Sequence, residues 1–130
     1  MALLESGQMY LETILVLSRQ REAVRSIDIA DSMGFSRPSV SRAVNLLKDD
    51  GFLSIAKNGH ITLTENGLNV AEKIYERHTL LTELFVRLGV DRETAMADAC
   101  KIEHDLSDAT FAALKRHAET QRIKQKNKSI

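Results

Sequence analysis

The sequence is poor in several residue types, and each shortage excludes a class of protein. Of its 130 residues only Cys100 is a cysteine and only Pro38 is a proline, and tryptophan is absent. A single cysteine excludes an internal disulfide, so a reducing compartment is expected, and the cytoplasm is the simplest one. Aromatic residues make up 5% of the chain and hydrophobic residues 43%. A core built mainly from aliphatic side chains suits helices packed on helices.

Long hydrophobic runs are absent as well. No stretch approaches the length of a membrane span, and no charged-then-apolar leader opens the chain. We therefore expect a soluble, cytoplasmic protein that does not contact a membrane. The length favours one compact body or two small lobes.

The chain lacks an excess of either charge, with 18 basic and 18 acidic residues. The distribution is uneven, because residues 1–64 carry seven of each, residues 65–121 carry seven basic against eleven acidic, and residues 122–130 carry four basic and no acidic ones. Overall neutrality predicts weak nonspecific attraction to DNA, since affinity for phosphate depends on local positive charge. A DNA-binding protein of this composition would need focused contacts and two copies of the chain.

The first half of the chain contains a series of patterns that predict helices. Apolar spacing predicts amphipathic helices over residues 3–19 and 26–33, the second capped by Ser26 and ended by Gly34. Pro38 fits only a first helical turn and so fixes the start of a third helix. A helix, a glycine turn and a polar-faced helix form a helix-turn-helix. The expected inward positions of the second and third helices are Ile27, Ile29, Ala30, Met33, Val40, Val44 and Leu47.

Two short alternating runs follow, at residues 52–56 and 60–64, around Lys57-Asn58-Gly59. Asn-Gly between two alternating runs is a strong hairpin signal. A hairpin directly after the polar-faced helix is typical of the wing of a winged helix.

The second half predicts helices only. Thr64 is placed to cap a long helix reaching residue 88, in which Gly67 is a weak point. Two further helices are expected over residues 91–106 and 107–121. The predicted fold is mainly α, with a winged helix-turn-helix domain at residues 1–64 and an all-helical domain at 65–121. The basic tail, residues 122–130, lacks apolar periodicity and is expected to be disordered.

One stretch of the second half carries three side chains suited to metal binding. Cys100, Glu103 and His104 stand at positions i, i+3 and i+4, so on a helix they share one face. Thiolate, carboxylate and imidazole are good ligands for divalent transition metals. Met9 and Glu12 repeat the i, i+3 spacing in the first helix. Each residue alone has an ordinary interpretation, since a methionine or cysteine is commonly core and a Glu-His pair is commonly solvated.

Three patches in this order resemble the diphtheria-toxin-repressor family of metal-dependent transcriptional repressors, over residues 8 to about 115. They are Met-Tyr-Leu-Glu-Thr-Ile at 9–14, Ser-Arg-Pro-Ser-Val-Ser at 36–41, and Cys-Lys-Ile-Glu-His-Asp-Leu-Ser at 100–107. The resemblance implies a metal-activated repressor of metal-homeostasis genes. It also implies that residues 65–121 are a linker helix followed by an all-helical metal-binding and dimerisation domain. The length is similar to that of the short, manganese-responsive branch, so we expect the two-domain form without an SH3-like domain.

The resemblance also implies a set of metal ligands, namely Met9, Glu12, His78, Cys100, Glu103 and His104. Iron-type members of the family have the same residues as Met9, Cys100, Glu103 and His104 at those four positions. Manganese-type members match at Glu12, His78, Glu103 and His104, but have carboxylates at the two sulfur positions. Sulfur ligands favour Fe2+ over Mn2+. We therefore predict Fe2+, with Mn2+ as the alternative and Co2+, Ni2+ or Zn2+ able to activate in vitro.

A second, ancillary metal site of the iron-type members departs from the family pattern. Thr82 and Met96 stand where a glutamate and a histidine are expected. We therefore do not expect that second site in its usual form.

The winged helix implies a DNA interface, with candidate contacts at Ser36, Arg37, Pro38, Ser39, Ser41, Arg42, Lys57 and Asn58. The N-terminal turn of the recognition helix faces the major groove in a helix-turn-helix, although the serines could serve only as caps and exposed polar residues. Arg42 is the best candidate base reader, because arginine pairs with guanine through two hydrogen bonds. Lys57 and Asn58, at the wing tip, would contact phosphate. The expected partner is a palindromic double-stranded DNA operator, bound by a homodimer formed through apolar helices at residues 68–115.

Two other classes of function compete with this interpretation. A metal-independent winged-helix regulator of an organic ligand would bind DNA in the presence of a chelator. A metalloenzyme is disfavoured, because the chain has no His-Glu-x-x-His helix and no evident pairing of nucleophile with base.

Overall fold

The computed structural model describes the backbone of residues 3–128 and the side chains as far as Arg122. These residues form six α-helices and a two-stranded sheet, and they divide into two compact units between Ile74 and Tyr75. The division falls inside the fourth helix. The elements are α1 (Glu5–Gln20), α2 (Ser26–Met33), α3 (Arg37–Asp49), β1 (Leu53–Ile55), β2 (Ile61–Leu63), α4 (Glu65–Arg87), α5 (Arg92–Ile102) and α6 (Asp108–Lys128).

The core of the first unit lies between α1, α2, α3 and the hairpin. All three positions predicted to point inward from α3 are buried, and so are Ile29 and Ala30 of α2. The prediction for Ile27 is wrong, because its side chain is 39% exposed. Ile27 lies at the edge of the apolar face of α2, because it stands two residues before Ile29, and positions i and i+2 do not face each other. The cluster includes Leu11, Ile14, Val24, Ile29, Val40, Val44, Leu53 and Ile61.

The helix ends of the helix-turn-helix follow from local hydrogen bonds. The Ser36 hydroxyl oxygen accepts from the Ser39 N–H at 3.3 Å, and Pro38 lies in the first turn of α3 as predicted. The predicted cap at Ser26 is wrong. The cap residue of α2 is Arg25, whose N–H donates to the Asp28 carboxylate at 2.9 Å. A carboxylate in the first turn reaches back to an otherwise unpaired N–H better than the shorter serine at the first helical position does.

The hairpin is confirmed, with each strand one residue shorter at both ends than predicted. The strands are antiparallel and pair Leu53 with Leu63 and Ile55 with Ile61. In the connecting loop the Asn58 side-chain oxygen accepts from the His60 N–H at 3.0 Å. This bond closes the loop that forms the tip of the wing.

Gly67 is explained by a close approach of two backbone segments. The Thr64 hydroxyl oxygen accepts from the Gly67 N–H at 3.2 Å and donates to the Gly51 carbonyl at 2.7 Å, so Thr64 caps α4 as predicted. A Cβ added at Gly67 would lie 1.9 Å from the carbonyl oxygen of Phe52. The apparent weak point of the helix is therefore the place where only glycine fits.

In the second unit α5 and α6 both begin with a side-chain cap. Asp91 accepts from the Thr94 N–H at 3.0 Å and from its hydroxyl at 2.8 Å. These two bonds hold the pKa of Asp91 below its ordinary value. Ser107 accepts from the Thr110 N–H at 3.1 Å, which confirms it as the cap of α6.

The end of α5 differs from the prediction. The helix ends at Ile102 rather than near residue 106, and the Asp105 N–H turns back to the Ile102 carbonyl at 2.9 Å. The physical reason lies outside the helix. The buried Arg77 side chain takes the carbonyls of Glu103 and Leu106 as acceptors, and this tertiary interaction outweighs a local preference for continued helix.

The C-terminal segment also departs from the prediction. Helix α6 continues to Lys128, past the end predicted at residue 121. The disorder expected for the tail, residues 122–130, stays a prediction. No glycine or proline interrupts residues 108–128, and lysine, glutamine and arginine are good helix formers. Residues 129–130 lie outside the described residues. None of the described helices is long and apolar enough to cross a membrane.

Candidate metal centre and nucleic-acid interface

The carboxylate of Glu103 stands between two imidazoles in the second unit. Its Oε2 atom is 2.9 Å from His78 Nδ1, and its Oε1 atom is 3.4 Å from His104 Nε2. The Glu103 side chain is completely buried, that of His104 is 2% exposed and that of His78 is 23% exposed. The structure therefore brings together three of the six predicted ligands, from the middle of α4 and from the turn after α5.

The chemistry of this cluster fits a divalent transition metal. Within the described part of the chain, Glu103 Oε1 accepts no hydrogen bond. A buried carboxylate is costly unless its charge is offset. One carboxylate and two imidazoles are donors that suit iron, manganese and zinc. A cation would satisfy both the charge and the unused oxygen.

Cys100 and Glu103 are separated by one helical turn. The Glu103 N–H donates to the Ala99 carbonyl at 2.9 Å, and Glu103 keeps helical dihedrals (φ −56°, ψ −25°) as the cap residue of α5. Cys100 is half-buried and forms no disulfide. The predicted common face of Cys100 and Glu103 therefore holds, although the regular helix ends just before Glu103.

The other two predicted ligands belong to the first unit. Met9 and Glu12 both lie on α1, and both are half-buried. They stand three residues apart on an α-helix, so they share a face as predicted.

Thr82 and Met96, which replace two ligands of the family's ancillary metal site, differ in the exposure of their side chains. Thr82 is 4% exposed, whereas the Met96 side chain is 45% exposed. His117, the remaining histidine of the second unit, is exposed on α6.

The predicted base-reading residues lie at the exposed start of α3. Arg37, Pro38, Ser41 and Arg42 are exposed, together with the cap residue Ser36, and Ser39 is half-buried. The Ser39 hydroxyl contacts the Ser36 hydroxyl at 2.9 Å and accepts from Arg42 Nη2 at 3.4 Å. The arginine is thus held along the helix surface in the described chain.

One polar side chain on this face was missed from the sequence. Asn45 is exposed, and its Nδ2 donates to the Ser41 carbonyl at 2.8 Å. Together with Pro38, Ser41 and Arg42 it lines a shallow depression on α3. Its spacing of three and four residues from Arg42 and Ser41 was the available signal.

The wing presents both of its predicted residues to solvent. Lys57 and Asn58 are exposed, and Asn58 is held by the bond to His60 already described. The Asn58 carbonyl also accepts from Arg25 Nε at 3.2 Å. Arg25 therefore steadies the wing tip, a role that no local sequence pattern indicates.

A second residue missed from the sequence is Arg77, directly before His78. Its side chain is 4% exposed, although it is charged. The signal was its place on the apolar stripe of α4, three residues after Ile74 and four before Leu81, both of which are buried.

Comparison with known families accounts for nearly the whole chain. Residues 2–61 match the family described as "Iron dependent repressor, N-terminal DNA binding domain". Residues 64–130 match "Iron dependent repressor, metal binding and dimerisation domain". Both descriptions belong to transcriptional regulators rather than to enzymes.

Individual relatives include proteins named for either metal. The chain is 34% identical over 107 residues to the "Iron-dependent repressor IdeR" of Mycobacterium tuberculosis, which covers 82% of this chain and 46% of the relative. It is 31% identical over 121 residues to the "HTH-type transcriptional regulator MntR" of Lysinibacillus sphaericus, covering 93% of this chain and 85% of the relative. The chain thus spans about half the length of the iron-dependent relatives.

The fold agrees with solved structures of similar proteins. "Structure of the manganese regulator SloR" superposes with a TM-score of 0.76 at 27% identity, covering 87% of this chain and 53% of the other. "Manganese-dependent transcriptional repressor complex with manganese" gives a TM-score of 0.75 at 26% identity, covering 85% of this chain and 51% of the other. These findings confirm the resemblance stated from the sequence, and the chain belongs to the iron-dependent repressor family, the family of the diphtheria toxin repressor.

Proposed function

We propose that this chain is a metal-activated, DNA-binding transcriptional repressor that controls metal-homeostasis genes in the cytoplasm. The observation that carries the proposal is the buried Glu103 carboxylate, flanked by His78 and His104, in a chain whose first half is a winged helix. A regulator that does not bind metal would gain nothing from this cluster, because a buried carboxylate whose charge is not offset by a cation destabilises the folded protein.

Six side chains are proposed as metal ligands. His78, Glu103 and His104 are supported by the cluster described above, and Cys100 by its place one turn before Glu103. Met9 and Glu12 are proposed on the strength of the family resemblance and of their common face on α1. A bound divalent cation would neutralise the carboxylates and join side chains from both halves of the sequence.

The proposed metal is Fe2+, with Mn2+ as the alternative. The sulfur atoms of Met9 and Cys100 support iron, since manganese prefers oxygen ligands. Support for manganese comes from Glu12, from His78 and from relatives named for that metal. Co2+, Ni2+ and Zn2+ are expected to bind in vitro as well, because nitrogen and sulfur sites favour them.

The proposed DNA contacts lie on α3 and on the wing. The exposed start of α3 would enter the major groove, with Arg42 as the base reader and Ser36, Arg37, Pro38, Ser39 and Ser41 beside it. Lys57 and Asn58 would contact phosphate. We propose that the chain binds as a homodimer, so that two copies of α3 read the halves of a palindrome about 34 Å apart.

Metal and DNA binding are coupled in this proposal. Ligands drawn from both halves of the chain would favour the arrangement that binds DNA over others, as a population shift. The coupling must be reciprocal, so the DNA operator should tighten metal binding by the same factor by which the metal tightens DNA binding.

A pair of histidine substitutions tests the proposed metal site. His104→Ala removes a buried imidazole beside Glu103, whereas the control His117→Ala removes an exposed one from the same unit. Affinities for Fe2+ under anaerobic conditions and for Mn2+ are measured by competition with a chelator. We expect His104→Ala to bind both metals far more weakly and His117→Ala to match the wild type. Equal metal affinity of the two variants would contradict the proposal, as would a wild-type protein that binds neither metal.

A further inference from the structure

Arg77 makes contacts that are unusual for a charged residue inside a small helical unit. Its Nη1 atom donates to the Glu103 carbonyl at 3.1 Å and to the Leu106 carbonyl at 2.6 Å. Its Nη2 atom donates to the Asp108 carboxylate at 2.6 Å. The guanidinium carbon lies 5.3 Å from the centre of the Phe111 ring. One side chain of α4 thus holds both ends of the turn that joins α5 to α6.

That turn carries the candidate metal ligands. Glu103 and His104 lie at its start, and the neighbour of Arg77 on α4, His78, contacts the Glu103 side chain at 2.9 Å. Arg77 therefore fixes the main chain of Glu103, while His78 contacts its carboxylate. Two consecutive residues of α4 therefore contact the same glutamate, one at its main chain and one at its side chain.

Stability alone gives a poor account of a buried arginine here. Buried ion pairs are commonly replaceable by apolar residues without loss of stability, because desolvation offsets the attraction. Arg77 Nε is buried and has no hydrogen-bond partner among the described residues, and the Asp108 side chain is 77% exposed. The charge of Arg77 is thus only partly compensated. What the guanidinium provides is geometry, since its planar fork serves two carbonyls and a carboxylate at once.

We propose that Arg77 is a positioning residue for the metal centre, which holds the turn after α5 so that Glu103 and His104 face His78. The inference rests on the proposed metal site. Groups that orient metal ligands without touching the metal typically change affinity by about 10- to 100-fold when they are removed. We expect an effect of that size for Arg77.

The experiment compares Arg77→Met with Arg92→Met in the full chain, using Co2+ as the probe. Arg92 is the matched control, because it is an exposed arginine of the same unit that pairs with Glu83 at 3.3 Å. Co2+ affinity is measured by competition with a chelator, and the visible absorption of the bound ion reports the geometry of its ligands. Thermal unfolding of the metal-free proteins gives the separate effect on stability.

The expected result is a loss of about tenfold or more in Co2+ affinity for Arg77→Met, with a changed absorption spectrum. Arg92→Met should keep both the affinity and the spectrum of the wild type. A purely structural role would lower the unfolding temperature but leave the affinity and the spectrum unchanged, and that result would overturn the inference. An equal loss of affinity in both variants would also overturn it.

If Arg77→Met does not fold, Arg77→Lys is judged by the same two readings, since lysine keeps the charge but lacks the planar fork. A wild-type protein that binds no Co2+ would remove the proposed metal site itself. Wild-type binding that persists unchanged in the Arg77 variant would remove only the positioning role.

Discussion

Replacing Gly67 by alanine should destabilise the protein, although alanine is the better helix former. Gly67 lies in the first turn of α4, where an added Cβ would stand 1.9 Å from the Phe52 oxygen and 2.9 Å from the Phe52 carbonyl carbon. Both neighbours are backbone atoms, which cannot rotate away as a side chain can. The same Phe52 oxygen accepts from the Thr64 N–H at 3.1 Å, just before α4.

The size of the effect follows from three terms. The Cβ must move from 1.9 Å to at least 3.0 Å from the oxygen, and this shift separates α4 from the segment that leads into β1. Such overpacking costs about 1–3 kcal/mol. Weakening of the bond between Phe52 and Thr64 adds about 1 kcal/mol. The higher helix propensity of alanine stabilises the folded protein by about 1 kcal/mol. A net loss of about 1–3 kcal/mol in the free energy of unfolding remains.

Urea denaturation of the metal-free protein, followed by far-ultraviolet circular dichroism, measures this loss. Gly7→Ala is the matched control, because Gly7 also lies in the first turn of a helix. Its added Cβ would meet the tip of the Leu3 side chain at 2.8 Å, and that tip can rotate away. We expect the control to equal or exceed the wild type in stability. A Gly67→Ala protein as stable as Gly7→Ala would refute the close approach of Phe52 to α4.

Four further predictions concern the binding of DNA, the choice of metal and the stability in acid. Arg42→Ala should cost about 1–3 kcal/mol in binding to a preferred DNA sequence and relax the preference at one base pair. Lys57→Ala should weaken binding to all sequences alike and reduce the salt slope by about one, and titrations at several salt concentrations separate the two patterns. Cys100→Asp should shift the ratio of affinities towards Mn2+ and away from Fe2+, because an oxygen ligand replaces sulfur; an unchanged ratio would contradict a role for the thiol. Asp91→Ala should lower the urea midpoint at neutral pH but not in strong acid. The hydrogen bonds from Thr94 lower the Asp91 pKa from 3.8, so its contribution is present above that value and disappears as pH falls through the folded pKa; a difference between the proteins that persists in strong acid would contradict this cause.

The parts of the fold that sequence predicted are those set by local chemistry. Pro38 marked the start of α3 because its ring fits only a first helical turn. Asn58 and Gly59 marked the wing, since Gly59 adopts a φ of +87° that other residues rarely reach. Caps at Thr64 and Ser107 were equally local. Each of these features is decided within a few residues.

The parts that sequence did not predict depend on partners far along the chain. The early end of α5 reflects Arg77, which is 26 residues before Glu103. The need for glycine at position 67 arises from Phe52, across the hairpin. Arg25 steadies the wing through Asn58, which is 33 residues away. No local pattern contains these contacts, because the fold must exist before the partners meet.

For the candidate site, the sequence indicated residue types and their spacing. The common face of Cys100 and Glu103 follows from helical periodicity alone. The meeting of Glu103 with His78 depends on the packing of α4 beside the turn after α5. The role of Arg77 in holding this turn had one sign in the sequence, which was the place of a charged residue on the apolar stripe of α4.

The most direct test of the central claim is selection of binding sites from random double-stranded DNA by this 130-residue chain. The selection is run anaerobically with Fe2+, with Mn2+, and with a chelator in place of metal. We expect that an inverted repeat is enriched with metal, that Fe2+ supports the tighter binding, and that the chelator abolishes enrichment. Enrichment of the same sequence in the presence of chelator would contradict metal activation. The absence of any enriched sequence with either metal would contradict the proposal that the chain is a DNA-binding repressor.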